Sequence, residues 1–417
     1  MISRRGEMRH TLLGRVAHSP ITVGPSKTLT MTLSSRMQLE ASRHATISAK
    51  EHFPVLDGLR ACAVLIVIGF HFWQSFSDGS HSVVGKLAVW GQTGVDLFFV
   101  LSGFLITGIL LDSRGSEHFL RNFYVRRILR IFPLYYATLF AVYLVGPLLR
   151  INAWTPWKQS VWYWIYLQNI PAMFAPGLAS GPGHFWSLAV EEHYYLFWPL
   201  LVMFLPCGKL LKVVCLAIAI SLATRVIFTN YGTFYFTFAR LDGLAIGSAL
   251  AIFVRRQPEG LSRFVVLAKG LLWSLGPVLI FAQLLVSGAG LPVVQIFKST
   301  FIAVIYACVM LLALENALGR FVEILLSSRV LRLVGRYSYG MYVLHPFILS
   351  WLHKSGVSYT VLGLIMSIVL TYVAAWMSWT LLERRFLSLK RFFQYDSVSI
   401  PARAPLQRNP EKILMIE

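Results

Sequence analysis

Charge is what this chain has least of. Asp, Glu, Lys and Arg together are 13% of its 417 residues, about half the share found in soluble domains. Acids are outnumbered by bases, 18 to 38. So little charge argues against an ordinary water-soluble domain. Cysteine is scarce as well: Cys62, Cys207, Cys215 and Cys308 lie within or beside apolar stretches, with neither paired nor metal-ligand spacing. That pattern leads us to expect neither a disulfide framework nor a zinc site. The inverted internal repeat that marks many transporters is missing, and no signal peptide is expected ahead of the first apolar run.

What is present is hydrophobic: 56% of the residues, with aromatics alone at 14%. Apolar runs cover approximately 56–77, 85–111, 131–149, 184–205, 211–229, 234–254, 266–287, 293–315, 337–352 and 359–382. Runs of this length are read as membrane spans, and in lipid they must be helical, because only a helix satisfies its own backbone hydrogen bonds. The formal charge of +20 does not indicate a nucleic-acid partner, because the basic residues collect in the gaps between runs, mostly in every second gap. Arg114, Arg121, Arg126, Arg127 and Arg130 fill one such gap, and Arg320, Arg329, Arg332 and Arg336 another. The alternation follows the positive-inside rule.

The segment 159–174 is apolar and aromatic but short, ending at Asn169, Ile170 and Pro171. Counting it as a crossing would reverse the alternation. The expected fold class is therefore an all-α integral membrane protein. It is a bundle of about ten transmembrane helices plus one re-entrant or interfacial segment, with both termini cytoplasmic. The expected division is a disordered basic tail over 1–50, a transmembrane domain over 51–392 and a cytoplasmic tail over 393–417. The expected location is the inner, cytoplasmic membrane, with the lipid bilayer as the surrounding partner.

Polar groups inside the apolar runs are the candidate functional residues, since each is costly in lipid. The first run carries Asp57 and Arg60 near its start and His71 further along. An eleven-residue spacing puts Arg60 and His71 on one helix face, about 16 Å apart. The second run holds Asp96 in mid-span, followed by the small residues Ser102 and Gly103, and a buried carboxylate there calls for a basic partner on another span. Arg126, Arg127 and Arg130 precede the third run, and guanidinium forks suit phosphate oxygens. Glu191 and Glu192 sit side by side in the fourth, with His184 and His193 nearby. Arg240, Asp242 and His345 occupy later runs. Each of these has a plainer structural reading as an ion pair, a packed histidine or ordinary positive-inside charge.

Together, however, the residues resemble the membrane-bound acyltransferase-3 family over Phe53 to Phe392. Arg60 and His71 match its Arg-x10-His motif, Arg127 and Arg130 its Arg-x-x-Arg, and Gly94 to Phe104 its second-span block. Trp186, Ser187, Leu188, Glu191 and Glu192 match Trp-Ser-Leu-x-x-Glu-Glu. Arg240, Asp242 and Gly243 match Arg-x-Asp-Gly, while Tyr342, His345 and Pro346 match Tyr-x-x-His-Pro. His193 departs from the family, which commonly has glutamine there. An additional extracytoplasmic hydrolase-like domain, carried by many relatives, is not expected after Phe392.

The resemblance implies an O-acyltransferase that moves an acyl group, acetyl in the first instance, from cytoplasmic acyl-CoA to a hydroxyl on the far side. The acceptor would be a carbohydrate, a glycolipid or another hydroxyl compound, in keeping with modification of a bacterial cell envelope. In that scheme Arg126, Arg127 and Arg130 hold the donor's phosphates, and the pantetheine arm threads past Gly94, Ser102 and Gly103. His71 takes the hydroxyl proton or briefly carries the acyl group. Glu192 or Glu191 orients the imidazole or binds the acceptor, and Arg60 steadies the donor. Asp57, Asp96, Arg240, Asp242 and His345 form a supporting polar network. No metal is needed. The competing class is a multi-spanning transporter or flippase of a lipid-linked sugar or small anion.

Overall fold

The computed structural model describes residues 53–76, 88–148, 157–175, 177–229, 233–256, 261–285 and 292–395. The expected tail over 1–50 lies outside them, as do residues 396–417 of the expected C-terminal tail. All regular structure among the described residues is helical.

The first helix, α1, spans Pro54–Phe76; proline suits a first turn, where its missing N–H costs nothing. A short 3-10 turn then leads into α2, Gly94–Asp112. The chain reverses into α3, Phe119–Phe140, through Gly115 and His118, both with positive φ (90° and 59°), and the glycine takes this geometry without steric cost. Two short helices follow, α4 (Trp157–Trp164) and α5 (Asn169–Phe174). At 8 and 6 residues, neither can cross a bilayer, which needs about 20. Their aromatic segment is pinned to α3, where the hydroxyls of Tyr135 and Tyr136 donate to the carbonyls of Tyr163 (2.7 Å) and Trp164 (3.0 Å).

The remaining long helices are α6 (Trp186–Phe204), α7 (Cys207–Ile227), α8 (Leu241–Arg256), α9 (Leu261–Leu285) and α10 (Pro292–Leu314). After a short α11 (Arg320–Leu326) come α12 (Arg329–Lys354) and α13 (Val361–Ser378). Seven described helical stretches are long and apolar enough to cross a membrane, against ten expected. Two of the other expected spans, α6 and α12, have the length but are diluted by the polar residues that make them interesting. These are Glu191, Glu192 and His193 in one, and Ser338, Tyr339 and His345 in the other. Outward-facing Trp273, Phe204 and Ile227 are 82%, 72% and 70% exposed, a surface suited to lipid and not to water. The protein is a multi-pass membrane protein.

Two close helix pairs organise the bundle: α8 lies along α2, and α12 along α1. In the first, a side chain at Gly103 would run into the carbonyl of Leu244, and one at Gly247 into the carbonyl of Val100. This is the small-residue packing that brings membrane helices together. A buried polar knot braces it. Thr107 donates to Ser248 (2.7 Å), Trp198 donates to Thr107 (2.7 Å), and Tyr194 pairs with Ser248 (2.6 Å), so α2, α6 and α8 are joined by directional bonds.

Candidate functional site

Arg60, His71, Ser102, Arg127, Arg130 and Glu191 converge on two cavities inside the bundle. The first is lined by Arg60, Ser102, Arg127, Arg130, Glu191 and Tyr195, with Ser187 and Tyr342 among its other walls. Ser102 donates to one oxygen of Glu191 at 2.8 Å and the Tyr195 hydroxyl to the other at 3.1 Å. Arg127 is held over the rings of Phe123 and Tyr195, 5.7 Å from each centroid. Arg60 keeps a longer contact with Asp57 one turn earlier, at 3.8 Å. Three cations on the wall of one cavity, with one carboxylate among them, make it a site for an anion.

The second cavity has His71 in its wall. Amides and rings line it: Gln74, Gln92, Gln168, Tyr163, Trp186 and Tyr235 among others. Such a mixture suits a polar ligand with an apolar face, with the rings packing on the face and the amides bonding hydroxyls. Val95 and Tyr342 are walls of both cavities. The Tyr342 hydroxyl is fixed there by Ser187 (2.5 Å) and by the carbonyl of His184 (2.9 Å).

His71 has a histidine for its neighbour. Its Nδ1 lies 3.0 Å from the carbonyl of Val67 and 3.2 Å from Nε2 of His345. His345 Nδ1 faces the carbonyl of Tyr342 at 2.7 Å, so that nitrogen carries the proton and Nε2 is left as an acceptor. His71 Nδ1 is then the donor, and Nε2 of a neutral His71 keeps its lone pair. These tautomers follow from the hydrogen-bond network. His184 completes a row of three rings, 5.4 Å from His345, with its Nε2 on the Val343 carbonyl at 3.0 Å.

Several expectations change in detail. His345, and neither glutamate, is the side chain against His71; Glu191 belongs to the arginine cavity, and Glu192 buries an oxygen without a hydrogen-bond partner. Of the small residues on the expected donor path, Ser102 lines the first cavity. Gly94 and Gly103 are used up where α2 meets α1 and α8. Arg126 points away from the cavity and donates to the carbonyl of Phe393 at 3.0 Å. His193, the departure from the family pattern, bonds Thr237 at 2.8 Å and ties α6 to the turn before α8.

The supporting network is two buried ion pairs. Arg240 donates to Asp96 at 2.8 Å, the interhelical partner expected for that carboxylate. Asp242 pairs instead with Arg225 of α7, which also donates to Thr300 at 3.1 Å. Arg225 was not foreseen, although an arginine inside an apolar run was signal enough. Arg240 also lies over three rings, Phe99 (5.7 Å), Trp186 (5.5 Å) and Phe234 (5.0 Å). Trp186 and Phe234 are walls of the His71 cavity, so the ion pair shapes that cavity through cation–π contacts.

A helical membrane bundle with an arginine-lined cavity on one side of Tyr342 and a histidine on the other has the parts of a group-transfer protein. The family model described as an acyltransferase domain, acyltransferase-3, matches residues 53–380, and the chain belongs to that family. It is 30% identical over 328 residues to the peptidoglycan O-acetyltransferase OatA of Listeria monocytogenes, covering 73% of this chain and 50% of that protein. It is 31% identical over 329 residues to YrhL of Bacillus subtilis, provisionally named a peptidoglycan O-acetyltransferase, covering 70% and 48%. A provisionally named O-acetyltransferase of Staphylococcus aureus is 27% identical over 366 residues, covering 80% and 57%. The chain thus spans about half the length of these relatives. No solved structure matches it. The comparisons give the transporter reading no support.

Proposed function

We propose that the protein is a membrane O-acetyltransferase that takes an acetyl group from acetyl-CoA and passes it to a glycan hydroxyl, with peptidoglycan as the first acceptor to test. The observation that carries this reading is the pair of cavities meeting at Val95 and Tyr342, with arginines in one and His71 in the other. The arginine end would face the cytoplasm, where acyl-CoA is made, and the end carrying His71 would face outward, in the inner membrane of a bacterium. Peptidoglycan enters through the names of the Listeria and Bacillus relatives.

In the proposed reaction Arg127 and Arg130 bind the donor's phosphates, and Arg60 steadies the pantetheine arm beside Ser102 and Glu191. The acetyl thioester reaches past Tyr342 toward His71. Nε2 of His71 takes the proton from the acceptor hydroxyl as its oxygen attacks the thioester carbonyl. The C–S bond then breaks, and the imidazolium returns its proton to the departing thiolate. His345 holds the reacting tautomer throughout, and Trp186 and Tyr235 give the sugar a face to stack on.

Purified full-length protein, incubated with acetyl-CoA and peptidoglycan fragments, should release CoA thiol and yield acetylated fragment. His71→Ala should abolish both. Thiol release that does not need His71, or acetylation that proceeds without acetyl-CoA, would remove the proposal.

A further inference from the structure

The last described residues do not trail away from the bundle. After α13 the chain turns through Arg384–Ser388 and Leu389–Phe392 and packs back on α3, the helix that carries the arginines. Two directional bonds fasten it: Asn122 Nδ2 donates to the carbonyl of Gln394 at 2.7 Å, and Arg126 to that of Phe393 at 3.0 Å. Two rings add to the hold. The Arg126 guanidinium lies 5.5 Å from the ring of Tyr395, and that of Arg121 lies 5.9 Å from the ring of Phe393. This strap lies beyond residue 380, where the family match ends.

The strap brings one more basic side chain to the arginines. Lys390 sits half-buried in the Leu389–Phe392 turn, which packs on α3, within electrostatic reach of Arg126, Arg127 and Arg130. Among the described residues, no carboxylate makes a salt bridge with any of the four. Of the carboxylates within electrostatic reach of Arg127 and Arg130, Glu191 is bonded to Ser102 and Tyr195 and Glu383 to Ser378 at 2.9 Å, while Glu192 keeps one buried oxygen without a hydrogen bond. Basic groups held together by a fastened strap repel one another when charged. An anion with several negative groups in the same place relieves that repulsion.

We infer that the strap Leu389–Tyr395, fastened through Arg126, is part of the donor site, with Lys390 joining Arg127 and Arg130 in gripping the phosphates of the donor's nucleotide end. The inference rests on the acetyl-CoA reading above and adds a residue and an element to it. An anionic lipid headgroup offers the same phosphate chemistry, so the test separates the two sources.

Full-length protein would be placed in lipid nanodiscs, one set of phosphatidylcholine alone and one containing phosphatidylglycerol. Binding of CoA and of pantetheine, which lacks the phosphates, would be measured by calorimetry for wild type, Lys390→Ala and Lys390→Arg. The expected result is about tenfold weaker CoA binding by Lys390→Ala in both kinds of disc. Lys390→Arg should restore most of the affinity, and pantetheine binding should not change. Thermal unfolding of each variant checks the fold; if the alanine variant melts early, Lys390→Gln takes its place. Wild-type CoA affinity in Lys390→Ala would overturn the strap's role while leaving the donor reading intact. So would an effect confined to phosphatidylglycerol discs, which would assign the cluster to lipid. Failure of the wild type to bind CoA in either disc would remove the donor reading and this inference together.

Discussion

His345 presents Nε2 to Nδ1 of His71 at 3.2 Å, and its own Nδ1 is fixed by the Tyr342 carbonyl at 2.7 Å. A base whose far nitrogen is held by a second group is a recurring arrangement in nucleophile activation. His71→Ala should lower kcat for acetyl transfer by about 10²–10⁴-fold, the usual worth of a general base. His345→Ala should cost less, about 10–100-fold in kcat, with KM for acetyl-CoA unchanged. Its pH–rate profile should also move, because the Val67 carbonyl is then the one group left holding the Nδ1–H tautomer. Initial-rate kinetics over a pH series decide the matter. A rise in KM with kcat intact would assign His345 to binding.

The cavity separates three adjacent arginines that look alike in the sequence. Arg127 and Arg130 are walls of the cavity, while Arg126 serves the C-terminal strap. Arg127→Ala should therefore raise KM for acetyl-CoA about tenfold with kcat nearly constant, and Arg127→Lys should recover only part of the loss, since lysine lacks the planar fork. Titrating salt should weaken wild-type donor affinity more than that of the variant, through screening of the remaining charges. Equal salt dependence in both would mean that Arg127 does not meet the donor's charge.

Most of this architecture was legible because lipid makes polar residues conspicuous. His71, Asp96, Glu191 and Arg240 stood out in apolar runs, and all four lie in the two cavities or in the ion pairs behind them. What stayed hidden was pairing between distant helices. The partner of Asp242 could equally be read as its neighbour Arg240, and only the packing of α7 on α8 brings Arg225 to it. Glycines misled for a similar reason: Gly103 reads as room for a ligand until Leu244 is found filling it. The three-histidine row is assembled from α1, α12 and the turn before α6, and no local spacing announces it. The short helices α4 and α5 were foreseen as a segment that does not cross, because it is short and a crossing there would reverse the alternation of basic gaps.

The Asp96–Arg240 pair predicts a stability effect and a functional one. Both side chains are nearly inaccessible, 8% and 2% exposed, so removing one partner strands the other charge, at a cost of about 3–5 kcal/mol. Asp96→Asn keeps the shape but loses the charge. It should lower the midpoint of thermal unfolding in detergent and, by loosening Arg240 under Trp186 and Phe234, raise KM for the glycan acceptor more than KM for acetyl-CoA. An unchanged melting temperature would show that the pair contributes no net stability. Equal changes in the two KM values would cut the link between the pair and the His71 cavity.

Two glycines provide a paired test of the packing. A methyl group at Gly103 would collide with the Leu244 carbonyl, part of a helix backbone that cannot swing aside, whereas at Gly69 nothing lies within 4 Å. Gly103→Ala should therefore force α2 and α8 apart and destabilise the protein by about 1–3 kcal/mol or more. Strain on Ser102 next to it should also disturb the bond to Glu191. Gly69→Ala should be neutral or stabilising by up to about 1 kcal/mol, the helix-propensity gain of alanine over glycine, with transfer activity kept. Thermal unfolding of both variants in one detergent gives the comparison. If Gly69→Ala were the more damaging of the two, the α2–α8 contact would not be the close approach on which the two cavities depend.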